Sequence, residues 1–118
     1  MKRETPLFQG AATAIITPLN SKGVDYKQFE KLVTWQIDSG IDAIVVCGTT
    51  GESSTLTDAE HKKAIEFVVK TVGGAVPVIA GTGSNETVYA IELTEFSSKV
   101  GVDGVLVVTP YYNKATQT

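Results

Sequence analysis

Ile41–Glu52 reads Ile-Asp-Ala-Ile-Val-Val-Cys-Gly-Thr-Thr-Gly-Glu, an apolar run that ends in two threonines between two glycines. The apolar part, Ile41–Cys47, is short, rich in Val and Ile, and apolar on both alternating faces. This composition predicts a strand that is buried on both faces, as in a parallel sheet. Three further runs predict strands of the same kind, at Ala11–Ile16, Val76–Ala80 and Val105–Thr109.

Amphipathic stretches separate the four predicted strands. The first helix is predicted to begin after the capping residue Asp25, and the second after the capping box Thr57–Glu60. The third is predicted to start near Ser84 or Asn85 and to run to about Lys99. The resulting order, β-α-β-α-β-α-β, implies an α/β fold with a parallel sheet and right-handed crossovers.

The chain also contains an internal repeat. Gly40–Gly48 resembles Gly101–Thr109, with an offset of 61 residues that spans two βα units. A repeat at this spacing indicates a repeated α/β architecture.

Composition excludes several classes of protein. The 118 residues suit one domain, and a net charge of −3 without a basic block disfavours nucleic acid as a partner. No apolar run is long enough to span a membrane, and the start, Met1–Pro6, does not resemble a secretory signal. The lone Cys47 rules out an internal disulfide and indicates a reducing compartment. We therefore expect a cytoplasmic protein with no membrane partner.

Small and hydroxyl-bearing residues follow each predicted strand. In parallel α/β folds the carboxyl ends of the strands carry the functional site. Glycine and threonine there suit a small anion, because they offer backbone N–H and hydroxyl donors, although the same residues also suit a plain strand-to-helix turn. No Walker motif or dinucleotide fingerprint is present, and no His/Cys/Asp/Glu cluster has metal-ligand spacing, so we expect neither a cofactor nor a metal. The four segments are Thr17–Asn20, Gly48–Ser54, Gly81–Asn85 and Pro110–Asn113.

Single residues give weaker signals. Of the adjacent Tyr111 and Tyr112, one is expected to be partly exposed, where a phenol could relay protons, bind a ligand or pack in a subunit interface. His61 is expected on the surface or in an interface, and Cys47 is expected to be a buried, inert thiol. Trp35 is expected to pack between helices.

Taken together, the motifs resemble the dihydrodipicolinate synthase family, within the wider group of pyruvate-dependent class I aldolases that includes N-acetylneuraminate lyase. The resemblance covers essentially the whole chain, and the double threonine and the Tyr-Tyr-Asn-Lys run favour the synthases. It implies a (β/α)8 TIM barrel, of which residues 1–118 would form the N-terminal half of a single domain. The motifs are Gly10–Pro18, Gly48–Glu52, Gly81–Asn85 and Pro110–Lys114.

The resemblance also implies a reaction. A lysine would form an imine with pyruvate, and the derived enamine would attack aspartate semialdehyde to give 4-hydroxy-tetrahydrodipicolinate in lysine biosynthesis. Thr50 would bind the pyruvate carboxylate, while Thr49 and Tyr112 would belong to a hydroxyl relay. Tyr112 would act in a neighbouring subunit of a homotetramer built as a dimer of dimers. The family's lysine lies on a later strand, so the segment alone is expected to be inactive.

Some members of the family bind lysine as an inhibitor between subunits. A glutamate that holds the inhibitor's ammonium in sensitive members is replaced here by Tyr89, so weak or absent feedback is expected. Two alternatives to the synthase stay open: another pyruvate-dependent aldolase such as a neuraminate lyase, and a non-catalytic half-barrel binding module. The matching regulatory positions are Ser53, Ser54, Asp58, His61, Asn85, Tyr89 and Tyr111.

Overall fold

A computed structural model describes residues 5–114, 116 and 118 of the chain. The expectation about a leader therefore falls partly outside the described residues, at Met1–Glu4. The elements are β1 (Ala12–Ala14), β2 (Leu19–Asn20), β3 (Gly23–Val24), α1 (Tyr26–Asp38), β4 (Ala43–Val46), a 3-10 turn (Ser53–Thr55), α2 (Asp58–Val72), β5 (Val78–Gly81), α3 (Thr87–Val100) and β6 (Gly104–Leu106).

The main sheet has four parallel strands in the order β1-β4-β5-β6, so the predicted alternation of strands and helices is confirmed. Every strand is shorter than its apolar run. A small antiparallel pair of β2 and β3 precedes α1, and it was not predicted, because two-residue strands leave no periodic signal. Part of the predicted loop Thr17–Asn20 therefore lies in β2.

Capping residues set the helix starts. The Asp25 carboxylate accepts from the Gln28 N–H at 3.0 Å, and Thr57 and Glu60 form the reciprocal capping box, as predicted. The predicted start of α3 is wrong by about two residues. The cap is Glu86, whose long side chain accepts from the N–H groups of Val88 and Tyr89.

The core lies between the sheet and the helices. Phe29 and Val33 of α1 and Ile65 of α2 are fully buried together with Ile44 of β4. Burying each such side chain stabilises the fold by about 1.5–3 kcal/mol. Trp35 does not join them: it is 61% exposed on α1, so the prediction that it packs between helices is wrong for the described residues.

The outer strands are more exposed than predicted. Burial on both faces holds for β4 and β5, each of which pairs with a strand on either side. It is wrong for β1 and β6, which lie at the edges of the sheet, and Val105 and Leu106 of β6 are exposed. The sequence of a strand records its apolar faces but not whether neighbours cover them.

The internal repeat has a structural counterpart at the amino edge of the sheet. The Asp42 carboxylate accepts from the Ala11 N–H at 2.8 Å, and the Asp42 N–H donates to the Ala11 carbonyl at 3.1 Å. In the second copy the Asp103 carboxylate accepts from the Val78 N–H at 2.9 Å, and its N–H donates back at 2.9 Å. Each repeat thus joins its own strand to the preceding one with the same pair of bonds.

Candidate active site

The carboxyl ends of the parallel strands surround a cavity of about 340 Å³. Its walls come from the segment after β4, from the end of β5 and from the segment after β6. Residues 47–52 are called the β4 loop below, and residues 107–114 the β6 loop. The lining residues are Cys47, Gly48, Thr49, Ser53, Ser54, Gly81, Gly83, Leu106, Val108 and Tyr111.

A tight turn places the two threonines at the tip of the β4 loop. The Gly51 N–H donates to the Gly48 carbonyl at 3.1 Å, so Thr49 and Thr50 are the central residues of a β-turn. Both are exposed, and Thr49 also lines the cavity. This hydrogen bond joins Gly51 to Gly48, so the N–H groups of Thr49 and Thr50 are not used to close the turn. Neighbouring N–H and hydroxyl donors of this kind suit a carboxylate.

Backbone strain concentrates in the two loops. All the non-glycine residues with positive φ in the described part of the chain lie there: Cys47 (54°) and Glu52 (56°) in the β4 loop, Tyr112 (72°) and Lys114 (48°) in the β6 loop. Such a backbone costs about 1–3 kcal/mol per residue and persists only where the surroundings hold it. The backbone preferences of these residues therefore do not by themselves explain the conformation of the two loops.

Close packing of backbone against backbone holds the start of the β4 loop. A Cβ atom on Gly81 would lie 2.2 Å from the Cys47 carbonyl oxygen and 2.7 Å from its carbon. Only glycine at this position lets the end of β5 approach the β4 loop so closely. Cys47 itself is buried, as predicted, and burial raises the pKa of its thiol to about 12, which disfavours the reactive thiolate.

His61 is not on the surface, contrary to prediction. It is 3% exposed, and its Nε2 lies 2.9 Å from the Gly81 carbonyl oxygen, which makes Nε2 the protonated nitrogen of the neutral ring. Burial lowers the pKa of His61, opposed by its bond to Gly81 and by the charge of Asp58. Helical spacing could have revealed this position, because His61 shares a face with the buried Ala64, Ile65 and Val68.

The structure brings some of the candidate regulatory positions together and separates others. Ser53, Ser54 and Tyr111 line the cavity beside Thr49. Tyr89 on α3 lies near Asp58 on α2, and its pKa is raised mainly by burial and then by that carboxylate. Asp58 also forms a 2.9 Å ion pair with Lys62. Those that do not line the cavity are Asp58, His61, Asn85 and Tyr89.

The adjacent tyrosines differ in exposure. Tyr111 is 46% exposed and lines the cavity, whereas Tyr112 is 92% exposed and does not. This confirms the prediction that one of the pair is partly exposed. Tyr112 therefore does not share the lining of this cavity with Thr49.

Thr17 and Gly51 were not predicted as partners. The Thr17 hydroxyl, which is buried, donates to the Gly51 carbonyl at 2.7 Å across 34 residues of sequence. The only signal in the sequence was the position of Thr17 just after a predicted strand. Within the described residues, no group of three or more His, Cys, Asp or Glu side chains could hold a metal ion. In the same part of the chain, none of the helices has the length and apolar character needed to cross a membrane.

Comparison with known proteins decides the family. The model of the dihydrodipicolinate synthetase family matches residues 7–118. The chain belongs to this family. A 4-hydroxy-tetrahydrodipicolinate synthase of Clostridium tetani is 55% identical over 111 residues, which cover 94% of this chain and 38% of the relative. The chain thus spans about two-fifths of the length of the curated relatives that it matches.

Solved structures of the family share the fold. Dihydrodipicolinate synthase of Aquifex aeolicus is 55% identical, with a TM-score of 0.91 over 93% of this chain and 38% of that one. The chloride-inhibited enzyme of Acinetobacter baumannii, solved in complex with pyruvate, is 50% identical, with a TM-score of 0.89 over 92% and 38% of the two chains. The predicted fold class is confirmed: the chain forms the first β-α-β-α-β-α-β part of a (β/α)8 barrel.

Proposed function

We propose that these residues form part of a 4-hydroxy-tetrahydrodipicolinate synthase, which condenses pyruvate with aspartate semialdehyde in lysine biosynthesis. The observation that carries the proposal is the Gly48–Gly51 turn, which places Thr49 and Thr50 at the carboxyl edge of the sheet in a member of this family. A relative that is 55% identical carries the synthase name.

Thr50 binds the carboxylate of pyruvate in this proposal. Its hydroxyl and backbone N–H are two neighbouring donors at the tip of an exposed turn, and a carboxylate accepts from both. The Acinetobacter baumannii relative was solved in complex with pyruvate, so at least one member of the family binds this ligand. No metal is required, because backbone and hydroxyl donors alone satisfy a carboxylate.

The imine-forming lysine lies outside these residues in this proposal. Of the eight lysines that the structure describes, seven are exposed, and the eighth, Lys62, is paired with Asp58. A nucleophilic lysine needs a desolvated setting that lowers its pKa. We therefore expect the 118-residue segment alone to form no adduct with pyruvate.

The reaction has three bond-forming steps. The lysine amine attacks the keto carbon of pyruvate, and loss of water gives the imine. The methyl group then loses a proton to form an enamine, whose carbon attacks the aldehyde. Finally the amino group of the aldehyde substrate displaces the lysine and closes the ring, so that one water is lost overall. Thr49 serves the proton transfers as part of a hydroxyl relay.

Tyr112 supplies the relay from a neighbouring subunit of a homotetramer. The support is its position: it is 92% exposed, has a backbone φ of 72°, and does not line the cavity of its own chain. Mixing Thr49→Val with Tyr112→Phe subunits tests this. If Tyr112 acts across the interface, each mixed dimer has one intact site, and activity returns to about one quarter of the wild-type value. If it acts within its own chain, mixing restores nothing.

Borohydride trapping and turnover test the function itself in the whole protein. We expect a reduced pyruvate adduct, and turnover with aspartate semialdehyde. Thr50→Ala should raise KM for pyruvate at least about tenfold, since it removes one donor to a charged group. Thr34→Ala, on the exposed face of α1, is the matched control and should change nothing. Absence of an adduct would overturn the proposal, and cleavage of N-acetylneuraminate instead would assign a lyase.

Feedback by lysine is weak or absent in this proposal. Tyr89 is a neutral phenol where sensitive members carry a glutamate, and the nearby Asp58 is already paired with Lys62. A calorimetric titration should show no tight lysine binding to the whole protein, whereas Tyr89→Glu should strengthen binding. Tight binding to the wild-type protein would contradict this.

Residues 1–118 form the N-terminal half of one barrel domain, and the protein works in the cytoplasm. The support for the first statement is the exposed apolar edge at β6, including Val107 and Val108, which further strands would cover. The buried, unpaired Cys47 suits a reducing compartment. Dye binding to exposed apolar surface should be strong for the 118-residue segment and weak for the whole protein.

A further inference from the structure

We propose that Thr17 is a positioning residue for pyruvate binding, which fixes the Thr49–Thr50 turn through the carbonyl of Gly51. The inference rests on the proposed function, because it assigns pyruvate to that turn. Its basis is the 2.7 Å hydrogen bond from the Thr17 hydroxyl to the Gly51 carbonyl. Both residues are buried, and they belong to segments that follow different strands.

The β4 loop needs support from outside itself. Cys47 and Glu52 at its two ends both have left-handed backbone, which disfavours the loop as an isolated segment. The Thr55 hydroxyl bonds to the Glu52 carbonyl at 2.9 Å, but Thr55 lies only three residues away. Among the described residues, Thr17 provides the side-chain bond to this loop that comes from a distant part of the chain.

Gly51 is the point at which such support acts on the turn. Its N–H closes the turn by donating to the Gly48 carbonyl at 3.1 Å, and its carbonyl accepts from Thr17. A Cβ atom on Gly51 would lie 3.1 Å from the Cys47 Cα and 3.2 Å from the Thr17 hydroxyl. Gly51 therefore has little room to move while the bond is intact, and its peptide neighbour Thr50 is fixed with it.

Thr17→Val removes the hydroxyl while keeping the shape of the side chain. The Gly51 carbonyl would then be buried without a hydrogen-bond partner, which is unfavourable. The turn is therefore expected to shift so that water can bond to this carbonyl. In the whole protein, we expect KM for pyruvate to rise at least about tenfold while kcat changes less, because Thr50 is still present but no longer held. Thr17→Ser keeps the donor and should restore KM to near the wild-type value.

Thr94→Val is the matched control. It makes the same chemical change to a partly buried hydroxyl on α3, which lies 2.7 Å from the Ala90 carbonyl oxygen and 2.9 Å from the Thr82 hydroxyl, and neither bond involves the β4 loop. It should lower stability without changing KM for pyruvate. Equal effects of Thr17→Val and Thr94→Val on KM would reduce Thr17 to a general structural role and overturn the proposal.

Amide hydrogen exchange tests whether Thr17 holds the turn, without relying on activity. Within the β4 loop, the N–H groups of Gly51 and Glu52 are hydrogen-bonded, to the carbonyls of Gly48 and Thr49. At the same pH and temperature, these two amides should exchange at least about tenfold faster in Thr17→Val than in the wild type, and at the wild-type rate in Thr94→Val. Unchanged exchange in Thr17→Val would overturn the proposal even if activity fell. If the wild type forms no pyruvate adduct, the proposed function fails, while the exchange comparison still decides whether Thr17 holds the turn.

A second pair of variants covers the case in which Thr17→Val does not fold. Thr17→Cys is close in size and carries only a weak S–H donor, whereas Thr17→Ser carries a full hydroxyl donor. Faster exchange of the Gly51 and Glu52 amides and a higher KM in Thr17→Cys than in Thr17→Ser supports the proposal that Thr17 holds the turn. The reverse order, or no difference, overturns it.

Discussion

The β4 loop and the β6 loop both follow a parallel strand, and each contains two non-glycine residues with left-handed backbone. They differ in what holds them. The β4 loop is bonded by the buried Thr17 and packed against Gly81. The β6 loop also packs closely, since a Cβ atom on Gly83 would lie 2.5 Å from the Val108 nitrogen. Its hydrogen bond within the described residues is local, however, from the Asn113 N–H to the Tyr111 carbonyl at 2.8 Å.

The two strained loops are therefore held by different kinds of contact. The β4 loop is held by other segments of the same chain, through the hydroxyl of Thr17 and the backbone at Gly81. The β6 loop leaves Tyr112 92% exposed. In the proposed function, Thr49 is therefore held within its own chain, whereas Tyr112 would reach the relay only when subunits assemble.

The largest expected effect comes from removing the close approach that holds the β4 loop. Gly81→Ala places a Cβ atom against backbone atoms of Cys47, which cannot rotate away, and should destabilise the fold by about 3 kcal/mol or more. Denaturant unfolding of the whole protein measures this. Gly48→Ala is the control, since the nearest atom to its Cβ is 3.7 Å away on Val45. Equal loss in both variants would contradict the role given to Gly81.

Strain at the end of the β4 loop can be measured directly. Glu52 is exposed and has a φ of 56°. Glu52→Gly should be more stable than Glu52→Ala by about 1 kcal/mol, because glycine adopts this backbone without a steric penalty. Comparing the two variants cancels the loss of the carboxylate. No difference between their free energies of unfolding would mean that the loop is not strained when folded.

Acid should loosen the same region through His61. Burial holds its pKa below the ordinary 6.5, so near that pH the unfolded chain binds more protons than the folded one. The free energy of unfolding should therefore fall as the pH drops through about 6.5, and level off below the folded pKa. His61→Gln should lose this component of the pH dependence. The prediction fails if wild type and variant show the same slope between about pH 7 and pH 5.

The smallest effect is expected at a buried hydroxyl that forms no hydrogen bond within the described residues. The Ser97 hydroxyl is buried and has no hydrogen-bond partner among the described residues. Ser97→Ala should change the free energy of unfolding by less than about 1 kcal/mol, in the stabilising direction, because an unsatisfied polar group is removed. A clear loss of stability would show that a buried hydroxyl stabilises the fold by packing alone, without a hydrogen bond. The contribution of the Thr17 hydroxyl could then not be assigned to its bond.

Local sequence signals predicted where the helices and strands lie better than they predicted what surrounds each element in the fold. The caps Asp25 and Thr57 located two helices, because capping is decided within four residues. The start of α3 was misplaced, since Ser84, Asn85 and Glu86 all offer side-chain acceptors and only the folded backbone selects Glu86.

The site was predictable to a similar degree. The Thr49–Thr50 turn was found because its glycines and hydroxyls are adjacent in sequence. The burial of His61 was missed because its polarity outweighed its helical register, and the Thr17–Gly51 bond was missed because it joins residues 34 positions apart. Such pairings depend on the register of β1 beside β4, which no local pattern specifies.

The order of the strands in the sheet is also their order along the chain, with each strand pairing with the one made before it in the series β1, β4, β5 and β6. Paired residues such as Ala12 and Ala43 are separated by only a few tens of positions. Each of the last three strands therefore pairs with a neighbour that lies earlier in the chain. The carboxylates of Asp42 and Asp103 accept from Ala11 and Val78, so two of these pairings are closed by a residue just before the later strand.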